Sequence, residues 1–198
     1  MSRTPNSHKE ETHERILAVA ARAIRRKGYA GVSVAEVMKE AGLTHGGFYA
    51  HFDSRDAMIV AALERASRES SEAVTTAAER RVGKGVSAFR CLVEAYLSDE
   101  LLGSLEAGCP IAALGCDMPR QSQTVREASA ERVQRLIAAV RTMLPTAQRS
   151  AASTVAATLV GSLQLARALG DTAQGRAVLS SARKALIVQY DAPASSEH

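Results

Sequence analysis

Between Thr44 and Arg55 the chain gathers hydrogen-bonding side chains around a pair of glycines, in the order Thr44, His45, Gly46, Gly47, Tyr49, His51 and Arg55. These groups suit a polyanion. A phenol and an imidazole can donate to phosphate oxygens, a guanidinium binds phosphate through a planar fork, and glycines remove bulk where a backbone must come close to its partner. Thr44 and His45 are best placed to reach base edges, and Tyr49, His51 and Arg55 to hold phosphates. The other reactive set is Cys91, Cys109 and Cys116. An odd number of cysteines without a C-x-x-C pair is poor material for a disulfide framework or a closed zinc site, so free thiols are expected. Cys109 precedes Pro110 at an expected helix start, where amides and helix dipole favour a thiolate open to electrophiles. The alternative is that all three cysteines are small buried hydrophobes lining the core. No G-x-S-x-G, P-loop, H-E-x-x-H or dinucleotide fingerprint appears, so no catalytic residue, metal or cofactor is expected.

The polar cluster needs helices to position it. From about Lys9 to Lys27, Ile16, Leu17, Ala20, Ala23 and Ile24 share one face while Arg15, Arg22, Arg25 and Arg26 fall largely off it, which predicts an amphipathic helix closed by Gly28. Ser33 and Glu36 form an S-x-x-E start signal, in which the Ser oxygen and the Glu carboxylate cap orphan amides. Val34, Val37, Met38 and Ala41 then recur at helical spacing, and Gly42 permits the tight turn that ends this second helix. Thr44 is expected to cap a third short helix running to about Ala50, with Phe48 inward and His45, Gly46, Gly47 and Tyr49 outward. Two short helices joined by a glycine turn describe a helix-turn-helix, whose second helix enters the major groove of DNA.

Asp53 and Ser54 signal the start of a long helix to about Arg80. Gly83 and Gly85 break the chain, and Val86, Phe89, Val93, Tyr96 or Leu97, and Leu101 predict one further helix. A short helix is expected after Pro110, because proline is tolerated at a first helical position. Later helices are predicted from Val125 to Leu144, from Thr146 to Leu169 and from Thr172 to Tyr190, followed by a loose tail from Pro193 to His198.

Composition narrows the class. Among 198 residues, 46% are hydrophobic and only 4% aromatic, with no Trp, which favours an all-α globule over a β-sandwich. No apolar run is long enough to span a membrane, and Met1 to Arg15 is polar without a secretory apolar core, so a cytoplasmic protein is expected. The formal charge is +4, and residues 1–55 hold 9 Lys and Arg against 6 Asp and Glu, so a polyanion-binding surface belongs near the N-terminus.

The segment from Thr12 to Met58 contains Arg15-Ile16-Leu17, Lys27-Gly28-Tyr29, Ser33-Val34, Glu40-Ala41-Gly42-Leu43-Thr44, Gly46-Gly47-Phe48-Tyr49-Ala50-His51-Phe52 and Ser54-Arg55-Asp56-Ala57. It closely resembles the DNA-binding domain of TetR-family transcriptional regulators. The resemblance implies an N-terminal three-helix head over residues 1–53 and a larger helical ligand-binding and dimerisation domain over residues 54–198. It also implies a homodimer built through the two C-terminal helices, and repression of an operator that is relieved by a small-molecule effector. Carried onto this chain, it places Ser33, Thr44, His45, Gly46, Gly47, Tyr49, His51 and Arg55 at the DNA, with Arg55 where Lys is common. Beyond Ala66 the likeness weakens. There, Gly108-Cys109-Pro110-Ile111-Ala112-Ala113-Leu114 resembles a G-C-x-x-x-x-L pattern in a subset of such regulators, some of which sense electrophiles or oxidants through cysteine. Phe89, Tyr96, Cys109 and Met118 are the expected lining of an effector pocket. The competing functions are a helical thiol-dependent enzyme using Cys109, which lacks an evident histidine base, and a nonspecific architectural DNA binder, which so small a net charge disfavours.

Overall fold

The computed structural model describes residues 5–82 and 85–191; the expected break at Gly83 and the tail from Pro193 lie outside them. Among the described residues all regular structure is helical. Helix α1 (Pro5–Lys27) starts earlier than its apolar periodicity and buries Ile16, Leu17, Ala20, Ala23 and Ile24. Arg25, expected off this face, is instead buried with them at 7% exposure. Its Nη2 donates to Glu69 at 2.7 Å and its Nη1 to the Ala66 carbonyl at 3.5 Å, so the charge is neutralised inside the fold.

Ser33 Oγ caps α2 (Val34–Glu40) by accepting from the Glu36 amide at 3.2 Å. The reciprocal half of the expected box does not form, because the Glu36 carboxylate turns to Lys27 Nζ at 3.4 Å. Gly42, with φ of 72°, ends the helix: its amide donates to the Lys39 carbonyl at 3.0 Å, and the Leu43 amide reaches back to Met38 at 2.9 Å. This pair of bonds is the Schellman pattern, whose left-handed residue favours glycine. The following segment, His45–Ala50, winds as a 3-10 helix, and Thr44 precedes it without the expected side-chain cap. Phe48 fastens the segment to the core at 1% exposure, in edge contact with Tyr49 at 5.2 Å and stacked near Phe52 at 5.6 Å.

Helix α3 (Arg55–Val82) is the strut of the molecule. Its first half buries Met58, Ile59, Ala62, Leu63 and Ala66 and packs along α1; it also meets α4 (Ala88–Tyr96), α6 (Pro110–Leu114) and α7 (Gln123–Met143). The single helix expected from Val86 to Leu101 is interrupted. Helix α4 stops at Tyr96 and a one-turn α5 (Glu100–Gly103) follows. At the break, Arg183 Nη1 donates to the Leu97 carbonyl at 2.6 Å and to Asp99 Oδ1 at 3.0 Å. A distant donor therefore satisfies the carbonyl that a continuing helix would have used.

Helix α8 (Ala152–Leu169) begins after a 3-10 turn over Thr146–Ala151, and α9 (Ala173–Tyr190) packs back along it. Their approach is close at Gly175, where a Cβ would stand 2.3 Å from the Gly170 carbonyl oxygen and 3.0 Å from that of Ala166. Thr172 caps α9 by accepting from the Gly175 amide at 3.2 Å. No described helix is long and apolar enough to cross a membrane.

Candidate functional site

The outer face of the 3-10 segment carries the polar cluster. Thr44, His45 and Gly46 are exposed, Gly47 is half-buried and Tyr49 stands 70% exposed. A Cβ on Gly46 would meet nothing within 4 Å, and neither Gly46 nor Gly47 has a positive φ. Nothing described inside the chain requires glycine at Gly46. Ser33 is exposed at the N-terminus of α2, but its oxygen is already engaged as the helix cap.

His51 and Arg55 are tied more firmly than the sequence predicts. The His51 ring lies 6.0 Å from that of His13, which stacks on Phe52 at 4.7 Å. Its Nδ1 is buried without a partner. Burial, then the charges of His13 and Lys9, pull the His51 pKa below its usual 6.5. As pH falls the unfolded chain takes this proton first, so the stability contributed by a neutral His51 is complete above 6.5 and erodes on acidification towards the depressed value. In thermal melts from pH 7.5 to 5, wild type should therefore lose Tm more steeply than His51→Gln; parallel curves would remove His51 from the acid response. Arg55 Nε donates to the Val32 carbonyl at 3.2 Å, and its Nη2 donates to Val32 at 3.1 Å and to Tyr29. Its guanidinium clasps the turn between α1 and α2 and reaches the surface only in part.

Further polar side chains tie the head to the body of the protein. Arg25 and Arg65 share Glu69, and Arg65 also holds Glu14 at 2.6 Å, so α1 is latched to α3. Burial alone would raise the Glu69 carboxyl, but the hydrogen bonds and charges of Arg25 and Arg65 outweigh it and hold the pKa below its ordinary value. Tyr29 Oη lies 3.3 Å from Ser129 Oγ on α7, and Arg26 pairs with Glu106.

Two adjoining cavities open in the body and share Ser70, Val74, Tyr96 and Cys109 as common wall. The larger, about 930 Å³, is lined by charges of both signs, including the buried Arg25 of the head. The smaller, about 450 Å³, runs between α3, α4, α6 and α7 past Leu92, Ile111, Leu136, Met143 and Arg132. Of the four residues expected to line a pocket, Tyr96 and Cys109 do. Phe89 and Met118 do not: Phe89 is turned onto Tyr190 of α9 with ring centroids 6.1 Å apart, and Met118 is 7% exposed within the core. Sequence reasoning missed Arg132, although its spacing from Val125, Ser129 and Leu136 sets it on the apolar stripe of α7.

The cysteines separate by burial. Cys91 is fully buried and Cys109 is 6% exposed, whereas Cys116 is exposed, which corrects the reading of all three as core residues. Cys109 sits at the N-terminus of α6 with no side-chain capping bond, and that helix has only 5 residues behind it. A thiol-labelling time course followed by peptide mass spectrometry should modify Cys116 first, Cys109 more slowly and Cys91 only on unfolding. Labelling of Cys91 at the Cys116 rate would contradict this packing.

A capped helix, a glycine turn and a short helix presenting polar side chains around paired glycines define a helix-turn-helix head on an all-helical body. Residues 16–62, about a quarter of the chain, match the model of the bacterial regulatory proteins of the tetR family. It is 37% identical over 54 residues to the HTH-type regulator YerO of Bacillus subtilis, a stretch covering 27% of this chain and 19% of that protein. It is 38% identical over 61 residues to the repressor NemR of Escherichia coli, covering 30% of this chain and 31% of NemR. These matches thus span well under half of the relatives' length. The fold is shared more widely: reduced E. coli NemR superposes with a TM-score of 0.73 at 20% identity over 93% of this chain and 99% of NemR. A TetR regulator from Chloroflexus aurantiacus gives 0.73 at 22% identity, over 92% and 96% of the two chains.

Proposed function

We propose that the protein is a homodimeric, sequence-specific DNA-binding repressor of the cytoplasm that leaves its operator when a small molecule occupies the body cavities. The observation that carries this reading is the exposed polar face of the 3-10 segment, with Tyr49 in solvent and Gly46 open, within the part of the chain that matches the tetR-family domain. Thr44 and His45 read base edges, and Tyr49, His51 and the exposed edge of Arg55 hold phosphates. Ser33 adds a contact at the start of α2. The head is residues 1–53, and α3 carries its position into the body of residues 54–198.

The dimer forms through α8 and α9. Among the described residues, three of the five large apolar side chains that stand exposed, Leu165, Leu169 and Val188, lie on these two helices. Gly161, where a Cβ would meet nothing within the chain, leaves room on the same surface for a partner helix. Effector occupancy favours a population of dimers whose heads are spaced wrongly for successive major grooves. Arg25 makes the coupling direct, because it belongs to α1 of the head and also lines the larger cavity.

Cys109 gives this reading a chemical variant, since it lines both cavities and an electrophile entering either would modify it there. Against a thiol enzyme stands the lining itself: among the described residues no histidine borders either cavity. The test is fluorescence anisotropy on DNA from upstream of the protein's own coding sequence, with random DNA as competitor. A specific regulator prefers its operator by roughly 10³-fold or more. Equal binding to both DNAs, also after a selection from random sequences, would leave only the architectural alternative. Release of wild type but not Cys109→Ser by an alkylating electrophile would support the thiol variant, and equal release of both would exclude it.

A further inference from the structure

The smaller cavity has a donor set that nothing in the chain satisfies. Tyr96 Oη is buried without a hydrogen-bond partner, in a residue 4% exposed, and its polar neighbour is the Cys109 thiol, at best a weak acceptor. Arg132 Nε is likewise unpartnered, in a side chain only 5% exposed. The rest of that guanidinium is engaged: Nη2 pairs with Glu64 at 2.5 Å and Nη1 with Glu131 at 3.2 Å. Both residues line the 450 Å³ space. A buried donor left unpaired forfeits its hydration without recompense, so a fold that keeps two such groups beside one cavity is short of acceptors there.

Arg132 Nε can only donate, and Tyr96 Oη can donate as well as accept, so a partner that brings oxygen acceptors satisfies both. The charged lining, Arg68, Arg132 and Arg135 against Glu64, is net positive and favours an anion. The remaining wall, chiefly Val74, Leu92, Ile111, Leu136 and Met143, is aliphatic. A volume of this size falls within the range of small-molecule sites.

We infer that this cavity binds an amphipathic organic carboxylate, its head accepting from Tyr96 Oη and Arg132 Nε and its apolar body lying against the α3, α4, α6 and α7 wall. Building on the reading of an effector-controlled regulator, the inference assigns that effector's chemical class. A neutral molecule of the same apolar body lacks the negative charge and the second acceptor oxygen.

The experiment is isothermal titration calorimetry of the full-length protein with decanoate and with decan-1-ol, alongside operator anisotropy in the same buffer. Decanoate should bind at least about tenfold more tightly than the alcohol, the difference of one charge-assisted hydrogen bond. Tyr96→Phe should lose about tenfold in decanoate affinity while its ligand-free melting temperature is unchanged or raised, because the substitution deletes an unpaired buried hydroxyl. A merely structural Tyr96 would lower the melting temperature and leave decanoate affinity alone. Arg132→Lys keeps the charge but loses Nε, and should weaken decanoate similarly without affecting the alcohol. Absent decanoate binding, equal affinity for acid and alcohol, or an unchanged Tyr96→Phe isotherm would each overturn the assignment. Decanoate binding with no operator binding would sink the regulator reading alone, and operator binding without decanoate binding would sink this inference alone.

Discussion

Leu165→Glu should yield a folded monomer that has lost operator binding. Leu165 is 63% exposed on α8, so the isolated protomer gives up little packing when it is replaced. In a two-fold dimer the same patch serves both subunits, so one substitution places a carboxylate twice in a single apolar interface. Removing an apolar side chain and burying an unpaired charge at each copy should raise the dimer dissociation constant by at least about 100-fold. A monomer also presents one head where two grooves must be held together, so operator affinity should fall by a similar factor or more. Analytical ultracentrifugation with circular dichroism checks the first part and anisotropy the second. A dimer that persists would move the interface off α8 and α9. A well-behaved monomer that still binds the full operator tightly would instead remove the need for two heads.

The elements were legible where local chemistry decides them. Ser33, Gly42 and Thr172 are start and stop signals whose hydrogen bonds close within three residues, Pro110 opens α6 by its fixed φ and missing donor, and the helices they bound stand where spacing predicts. Interruptions imposed from far along the chain were not legible. The break after Tyr96 depends on Arg183, 86 residues beyond the carbonyl it satisfies. Arg25 was placed off its helix's apolar face, and Arg132 was passed over, for a related reason. Each lies on an apolar stripe, where periodicity counts an arginine as an error or an outlier, and only the distant carboxylates Glu69 and Glu64 make its burial tolerable. The same blindness left part of the cavity lining unnamed: Tyr96 and Cys109 were singled out, whereas Arg132 was not. In the head, sequence located the polar face but not the commitment of Arg55 to the carbonyls of Tyr29 and Val32.

Phe48→Ala and Tyr49→Ala, neighbours in the chain, should fail in opposite ways. Phe48 is 1% exposed and is the buried anchor of a six-residue 3-10 segment, so its removal should cost about 3–5 kcal/mol. A loss of that size is a large share of the total stability of a domain, so the head should melt early and DNA binding should vanish with it. Tyr49, 70% exposed, contributes almost nothing to the free protein beyond its edge contact with Phe48. Tyr49→Ala should leave the melting temperature within a degree or two, since exposed substitutions fall within about 0.5 kcal/mol, yet lower operator affinity by roughly 10-fold or more through the lost phosphate contact. Tyr49→Phe divides that loss between hydroxyl and ring, and a shallower salt dependence is not expected of it because no charge is removed. If Tyr49→Ala instead destabilised the head as Phe48→Ala does, the exposed ring would be a packing element and the DNA-facing assignment of the 3-10 surface would fall. If it changed neither stability nor operator affinity, the recognition surface would have to lie elsewhere on the head.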